Sequence, residues 1–150
     1  MKTENSASAI AAKSNGAQFP AGSGTRSDKA LTLRLEPACF GTAVVLHCRG
    51  RMNLRSDASA MSGIITEVLP SARRMVVDLG GLVSLDSGSL GELVLTHMWA
   101  EAAGYTLKFA SPRDSVRSLF ESANLVSVFD VYASVDAAIA AMHQEQVHSA

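Results

Sequence analysis

Cysteine is almost missing from this sequence: Cys39 and Cys48 are the only two in 150 residues. They form no CxxC pair and have no histidine at metal-ligand spacing, so they read as small, semi-apolar fillers of a reduced protein. A disulfide between neighbouring strands is the open alternative. An excess of either charge is missing too: 13 Lys+Arg stand against 14 Asp+Glu. The one local basic pair, Arg73-Arg74, reads as a solvated strand edge, so no nucleic-acid footprint is expected. No stretch approaches the roughly 20 continuous apolar residues of a membrane span, and the first residues never collect the apolar core of a secretory signal. No membrane insertion is expected, and the expected setting is cytoplasmic. The four histidines, His47, His97, His143 and His148, are scattered. His143 and His148 do not stack on one helix face, so neither a metal nor any other cofactor is expected. Internal repeats and heptads are lacking as well.

What is present suits one domain, since a chain of this length buries roughly 68–70% of its unfolded surface. Residues 1–28 are rich in Ser, Ala, Gly and Asn and read as a disordered N-terminal extension. A single domain is expected over residues 29–146, with a short tail at 147–150.

From Leu31 the pattern becomes regular. "LTLRLE" alternates, with Leu31, Leu33 and Leu35 on one face, as in a half-buried edge strand. Pro37 ends it, Gly41 lies in the turn, and "AVVLHCRG" (43–50) follows as the second strand of an antiparallel hairpin. Asn53 stands where a helix N-cap is useful. Leu54, Ala58, Met61, Ile65 and Val68 then predict a helix from Leu54 to Leu69, stopped near Pro70. "MVVDL" (75–79) is almost wholly apolar, as a central strand covered on both faces should be.

After a Gly80-Gly81 turn, Gly91, Val94, Leu95, Met98 and Ala102 recur at helical spacing, giving a second helix closed by Gly104. "YTLKFA" (105–110) is a strand. "SPRD" (111–114) opens a third helix, with Ser111 as N-cap and Pro112 at N1; Val116, Leu119, Phe120 and Ala123 form its buried stripe. "VSVFDV" (126–131) is expected as the last strand. Ser134 caps a final helix carrying Val135, Ile139 and Met142. Met52, Met61, Met75 and Met98 read as core filler, and Trp99 as a residue of the core rim or an anchor for a partner. The order β-β-α-β-α-β-α-β-α predicts an α/β fold: a mixed sheet of about five strands, an N-terminal hairpin followed by βα units, covered by about four helices.

Between strand and helix lies a polar island, Asp86-Ser87-Gly88-Ser89. Three readings compete. Asp86 and Ser87 serve as helix caps and nothing more. Alternatively "SGSLG" (87–91) imitates the G-x-S-x-G nucleophile elbow of a small serine esterase, with Ser89 as nucleophile and Ser87 in place of the first glycine. The third reading is a switch, because a serine at a helix N-terminus carries phosphate well, near free N–H groups and the positive end of the dipole.

"VVDLGGLVSLDSGSLGELVL" (76–95) resembles the signature of STAS domains, the family named for sulfate transporters and anti-sigma factor antagonists. There, an apolar strand ending in D-L leads through a short loop to D-S-[ST]-G-L-G at a helix start. The resemblance continues through "AGYTLKFASPRDSVRSLFESANLVSVFDVYASVDAAI" and reaches back to "LHCRGRMN", covering about Leu31 to Met142.

This resemblance implies a STAS-like sheet and an antagonist that is not itself an enzyme. Such a protein binds an anti-sigma factor, itself a serine kinase, when unphosphorylated and releases it when phosphorylated; a serine phosphatase resets it. Carried over, the acceptor is Ser87, and Asp86, Asn53, Gly88, Ser89 and Gly91 belong to the partner-facing surface. Gly88-Ser89 stands where the family has [ST]-G, and Asn53 where many members have aspartate. The alternative within the family is a structural STAS subunit of a lipid-transport ABC complex, gripping a nucleotide-binding subunit with the same surface.

Overall fold

The computed structural model describes residues 30–38, 43–53 and 58–149. The expected extension over residues 1–28, and with it Cys39, Gly41 and Leu54, lies outside them. The described chain forms one five-stranded sheet in the order β1-β2-β3-β4-β5. Its strands are β1 (Thr32–Pro37), β2 (Ala43–Met52), β3 (Arg74–Leu85), β4 (Thr106–Ala110) and β5 (Val131–Tyr132). The helices are α1 (Ala58–Ala72), α2 (Ser87–Ala103), α3 (Asp114–Ser122), the single turn α4 (Val126–Phe129) and α5 (Val135–Ser149). β1 pairs antiparallel with β2, and every later pair is parallel. This is the mixed α/β sheet that the sequence predicts, with a fifth, one-turn helix added.

The strands dictate the layering. β3 is central, and its near-continuous apolar run buries Met75, Val77 and Leu79 on one face and Val76 on the other. The larger core joins the first set to Leu46 and Phe109, under Ile65 of α1, Leu93 of α2, Phe120 of α3 and Phe129 of α4. The opposite face carries a smaller core, Val45, Val76 and Ala110 under Ala138 and Met142 of α5. Four helices thus cover one face and one helix part of the other. No helix among the described residues is long and apolar enough to cross a membrane.

Several boundaries differ from those expected. Gly80-Gly81 is no turn: β3 runs straight through it to Leu85. At Gly81 an added Cβ would stand 2.7 Å from Arg49 Cγ and 2.8 Å from the Cys48 carbonyl oxygen, so the missing side chain admits β2 where its register shifts. α1 continues past Pro70 to Ala72, because a proline so near the end removes only one late hydrogen bond; Arg73 then closes it at φ 72°.

α3 starts at Asp114, not at Ser111. Ser111 is held in the left-handed region at φ 60° with its N–H on Tyr132 O, and the extended Arg113 donates from Nε to Gly80 O at 3.0 Å, which keeps 111–113 out of the helix. The largest change is "VSVFDV". It turns as helix α4 through Phe129, and only Val131 and Tyr132 pair as strand. Phe129 is wholly buried and packs edge-on against Phe120 at 5.1 Å, while Val128 faces out. Leu125 and Val126 also pack inward while Ser127 faces out, which is a period of three or four, not two. The last helix extends to Ser149, through most of the stretch expected as tail.

Candidate functional site

The sequence places the polar island where the chain leaves β3, and the geometry there follows from one carboxylate. Asp86 is extended (φ −89°, ψ 171°), and its side chain accepts the Ser89 N–H at 2.8 Å. Its carbonyl takes the Leu90 N–H at 3.0 Å. Among the described residues, the N–H groups of Ser87 and Gly88 are then the donors left without a cap at the positive end of a 17-residue helix. Ser87, the first helical residue, is exposed, and its hydroxyl makes no hydrogen bond among the described residues.

The Asp86 N–H donates to Met52 O at 3.3 Å, which brings the end of β2 and the exposed Asn53 beside the cap. Gly91, one turn along α2, is exposed with no atom within 4 Å of where a Cβ would stand; Gly88 is half-buried. Asn53, Asp86, Ser87, Gly88 and Gly91 therefore meet at one corner, beyond the carboxyl ends of β2 and β3, where open α/β sheets commonly bind their ligands.

Ser89 does not join them. Its exposure is 0%, and its hydroxyl has no hydrogen-bond partner. Two residues beyond Ser87 is about 200° around a helix, so the side chain points inward with Leu90 and Leu93. Expected on the partner-facing surface, Ser89 instead belongs to the interior, where only its backbone N–H serves the site. A sealed hydroxyl with no base beside it is no activated nucleophile, so the esterase reading loses its residue.

A second correction concerns α2 as a whole. Met98, one of the residues read at helical spacing with Gly91, Val94, Leu95 and Ala102, was expected as core filler. The buried residues are Ser89, Leu90, Leu93, Thr96, His97 and Ala100. Leu95 is 64% and Met98 57% exposed. The inward polar residues are accommodated locally: Thr96 donates to Glu92 O at 2.9 Å, and the His97 ring packs against Phe129 at 5.6 Å with Nε2 3.8 Å from Glu101. α2 is apolar on both sides, so periodicity marks two stripes and cannot choose between them. The capping carboxylate fixes the phase. Met52, Met61 and Met75 do lie in the core, and Trp99 is half-buried against Tyr105 at 5.5 Å.

Two charged clusters lie elsewhere. His47 Nδ1 is 2.7 Å from Asp78 and Nε2 2.8 Å from Glu36, contacts that clamp β1, β2 and β3 together. Lys108 of β4, with a side chain 1% exposed, reaches Asp130 at 2.7 Å and Glu145 of α5 at 2.9 Å. Cys48 is buried and unpaired, and burial first, then the charge of Asp78, pushes its thiol far up from the ordinary range. No group of three metal-ligating side chains occurs among the described residues.

Comparison with known proteins agrees with the architecture. A family model described as "Mlab, STAS domain" matches residues 40–129. An anti-sigma factor antagonist from Mycobacterium paratuberculosis superposes with a TM-score of 0.66 at 21% identity, over 75% of this chain and 94% of that one. The anti-sigma factor antagonist SpoIIAA in its unphosphorylated form gives 0.59 at 22%, over 75% and 97%. The Bacillus cell fate determinant SpoIIAA in its phosphorylated form gives 0.58 at 17%, over 74% and 99%. Among curated proteins none matches this chain.

Proposed function

Because the chain belongs to the STAS-domain family, we propose that it is an anti-sigma factor antagonist of a partner-switching pair, binding a serine-kinase anti-sigma factor while Ser87 is free and releasing it once Ser87 is phosphorylated. The observation that carries this reading is the Ser87 hydroxyl. It stands exposed, with no hydrogen bond among the described residues, at the head of α2, on the same corner as Asn53, Asp86 and Gly91. Structural likeness to an antagonist described in both unphosphorylated and phosphorylated forms supports it.

The chemistry is electrostatic. A phosphoserine adds about −1.5 to −2 charges at neutral pH. The uncapped N–H groups and the helix dipole favour that charge in place, so the fold tolerates it. A partner seated over the corner has to desolvate it beside the Asp86 carboxylate, and a penalty of only about 2.7 kcal/mol weakens binding roughly a hundredfold. The protein itself performs no catalysis; it is the kinase's substrate and, once modified, the substrate of a serine phosphatase. Its working place is the cytoplasm.

Incubation with ATP and the purified serine kinase of the same genome, followed by mass spectrometry of the peptide containing Ser87, tests the acceptor. Ser87→Ala should keep the kinase bound in the presence of ATP, and Ser87→Glu should bind it at least tenfold more weakly (about 1.4 kcal/mol). Equal affinities of the two variants, with no phosphate on Ser87, would overturn the reading. A second reading is favoured by the apolar outer stripe of α2, which suits a permanent partner as well: a structural subunit gripping the ATPase of a lipid transporter. Co-purification with an ATP-hydrolysing transport subunit, undisturbed by Ser87→Glu, is its signature.

A further inference from the structure

α2 is apolar outward as well as inward: Leu90, Leu93 and Ala100 are buried together with Ser89, Thr96 and His97, while Leu95 and Met98 point out. A soluble domain gains nothing from that exposure unless something covers it. The outward stripe is continuous with the candidate switch, running Ser87, Gly91, Leu95, Met98 along one side of the helix. Met98 then forms a wall of an open groove of about 740 Å³ between α2 and α4, whose far side carries Val128, 46% exposed.

The groove's charge selects what can fill it. Glu101 and Asp130 line it beside His97; Asp130 is already paired with Lys108 beneath it, which leaves Glu101 as the exposed acid of the rim, and among the described residues no lysine or arginine lines it. A second copy of this chain docked isologously would set the same acidic rim against itself, since a two-fold interface meets its own surface. The complement is an apolar side chain flanked by basic ones. Scale favours the partner that covers Ser87: Met98 lies about 16 Å along the axis from it, and a standard footprint of roughly 800 Å² per partner is about 32 Å across. One bound protein can span both.

Resting on the reading of Ser87 given above, we infer that Leu95, Met98 and Val128 are the apolar grip for the anti-sigma partner, which inserts an apolar side chain ringed by lysine or arginine between α2 and α4. The interface then has two parts. The Ser87 corner is the part that phosphate repels. The stripe is the part that supplies burial, and adaptable methionine is well suited to such a contact.

The test uses the full chain and the purified kinase, with titration calorimetry on the wild type, Ser87→Glu, the double variant Leu95→Lys/Met98→Lys, and Glu101→Lys. All changed side chains are exposed, and thermal melts check that the fold is kept. The lysine pair should weaken binding tenfold or more, and Glu101→Lys at least threefold at low salt, with the latter loss shrinking at high salt as screening sets in. If Ser87→Glu weakens binding while the lysine pair binds like wild type, the grip is overturned and the switch stands. If the wild type does not bind the kinase, both fall. A wild-type dimer in sedimentation that the lysine pair converts to monomer would overturn the partner assignment in favour of self-association.

Discussion

Asp86 and Ser89 sit three residues apart in one cap and carry opposite consequences for stability. The Asp86 carboxylate satisfies the Ser89 N–H at 2.8 Å, so Asp86→Ala removes an N-cap bond and should lower unfolding free energy by about 1 kcal/mol, read as a shift in the urea midpoint at constant slope. The Ser89 hydroxyl is buried without a partner, and an unsatisfied buried polar group costs about 1–3 kcal/mol. Ser89→Ala removes that group, leaves the backbone cap intact, and is expected to be neutral to about 1 kcal/mol stabilising. A clear loss of stability would mean that the hydroxyl has a bond after all. Only Ser89→Ala separates stability from the switch, since it leaves both the Asp86 carboxylate and the exposed Ser87 oxygen in place.

At the scale of elements, what the sequence declared well were features fixed by local chemistry. Alternation placed β1 at the sheet edge, and the apolar run of residues 75–79 placed β3 at its centre. Gly104 closes α2 at φ 83°, and Ser134 accepts the Ala137 N–H at 3.0 Å as the cap of α5. The cap at the head of α2 was legible for the same reason, because Asp86 accepts the Ser89 N–H and Ser87 follows it as the first helical residue.

What failed were features fixed by tertiary contact. "VSVFDV" has strand composition, yet Phe129 fills the space between Phe109 and Phe120 only if the chain turns as a helix. Ser111-Pro112 has the form of a helix start, yet Ser111 is left-handed and Arg113 is tied to Gly80 O, so the helix begins only at Asp114. The two glycines of the site region divide along this line. Gly91→Ala adds a methyl group that meets nothing within 4 Å in an exposed helix position, and should stabilise by about 0.5–1 kcal/mol. Gly81→Ala drives a methyl group to within 2.8 Å of the Cys48 carbonyl, and should cost about 1–3 kcal/mol by forcing β2 away. Paired thermal melts of the two variants check the sign of each.

Across the whole molecule, one buried cation joins parts that no single element connects. Lys108 links β4 to Asp130, at the turn after α4, and to Glu145 on α5, the only helix on its side of the described sheet; Tyr132 contributes its hydroxyl at 3.4 Å and its ring at 5.2 Å. Burial by itself would lower the pKa of this ammonium. The hydrogen bonds to Asp130 and Glu145, with the charge of Asp130 and the Tyr132 hydroxyl, outweigh burial and hold it above the ordinary lysine value. A raised folded-state pKa contributes stability in full below the unfolded pKa and loses it as pH rises toward the folded one. The contribution is therefore complete at neutral pH and begins to decline only above about pH 10.4, the ordinary lysine value. Lys108→Met keeps most of the stem and removes the titrating group, so the difference between the two proteins isolates this site. Urea midpoints should move together from pH 7 to about 9, and the wild type should lose about 1 kcal/mol relative to Lys108→Met over the first pH unit above 10.4. Parallel curves through that window would show that the ammonium titrates in the folded protein as it does in the unfolded chain, and that α5 is held by the apolar contacts of Ala138 and Met142 without help from the charge beneath them.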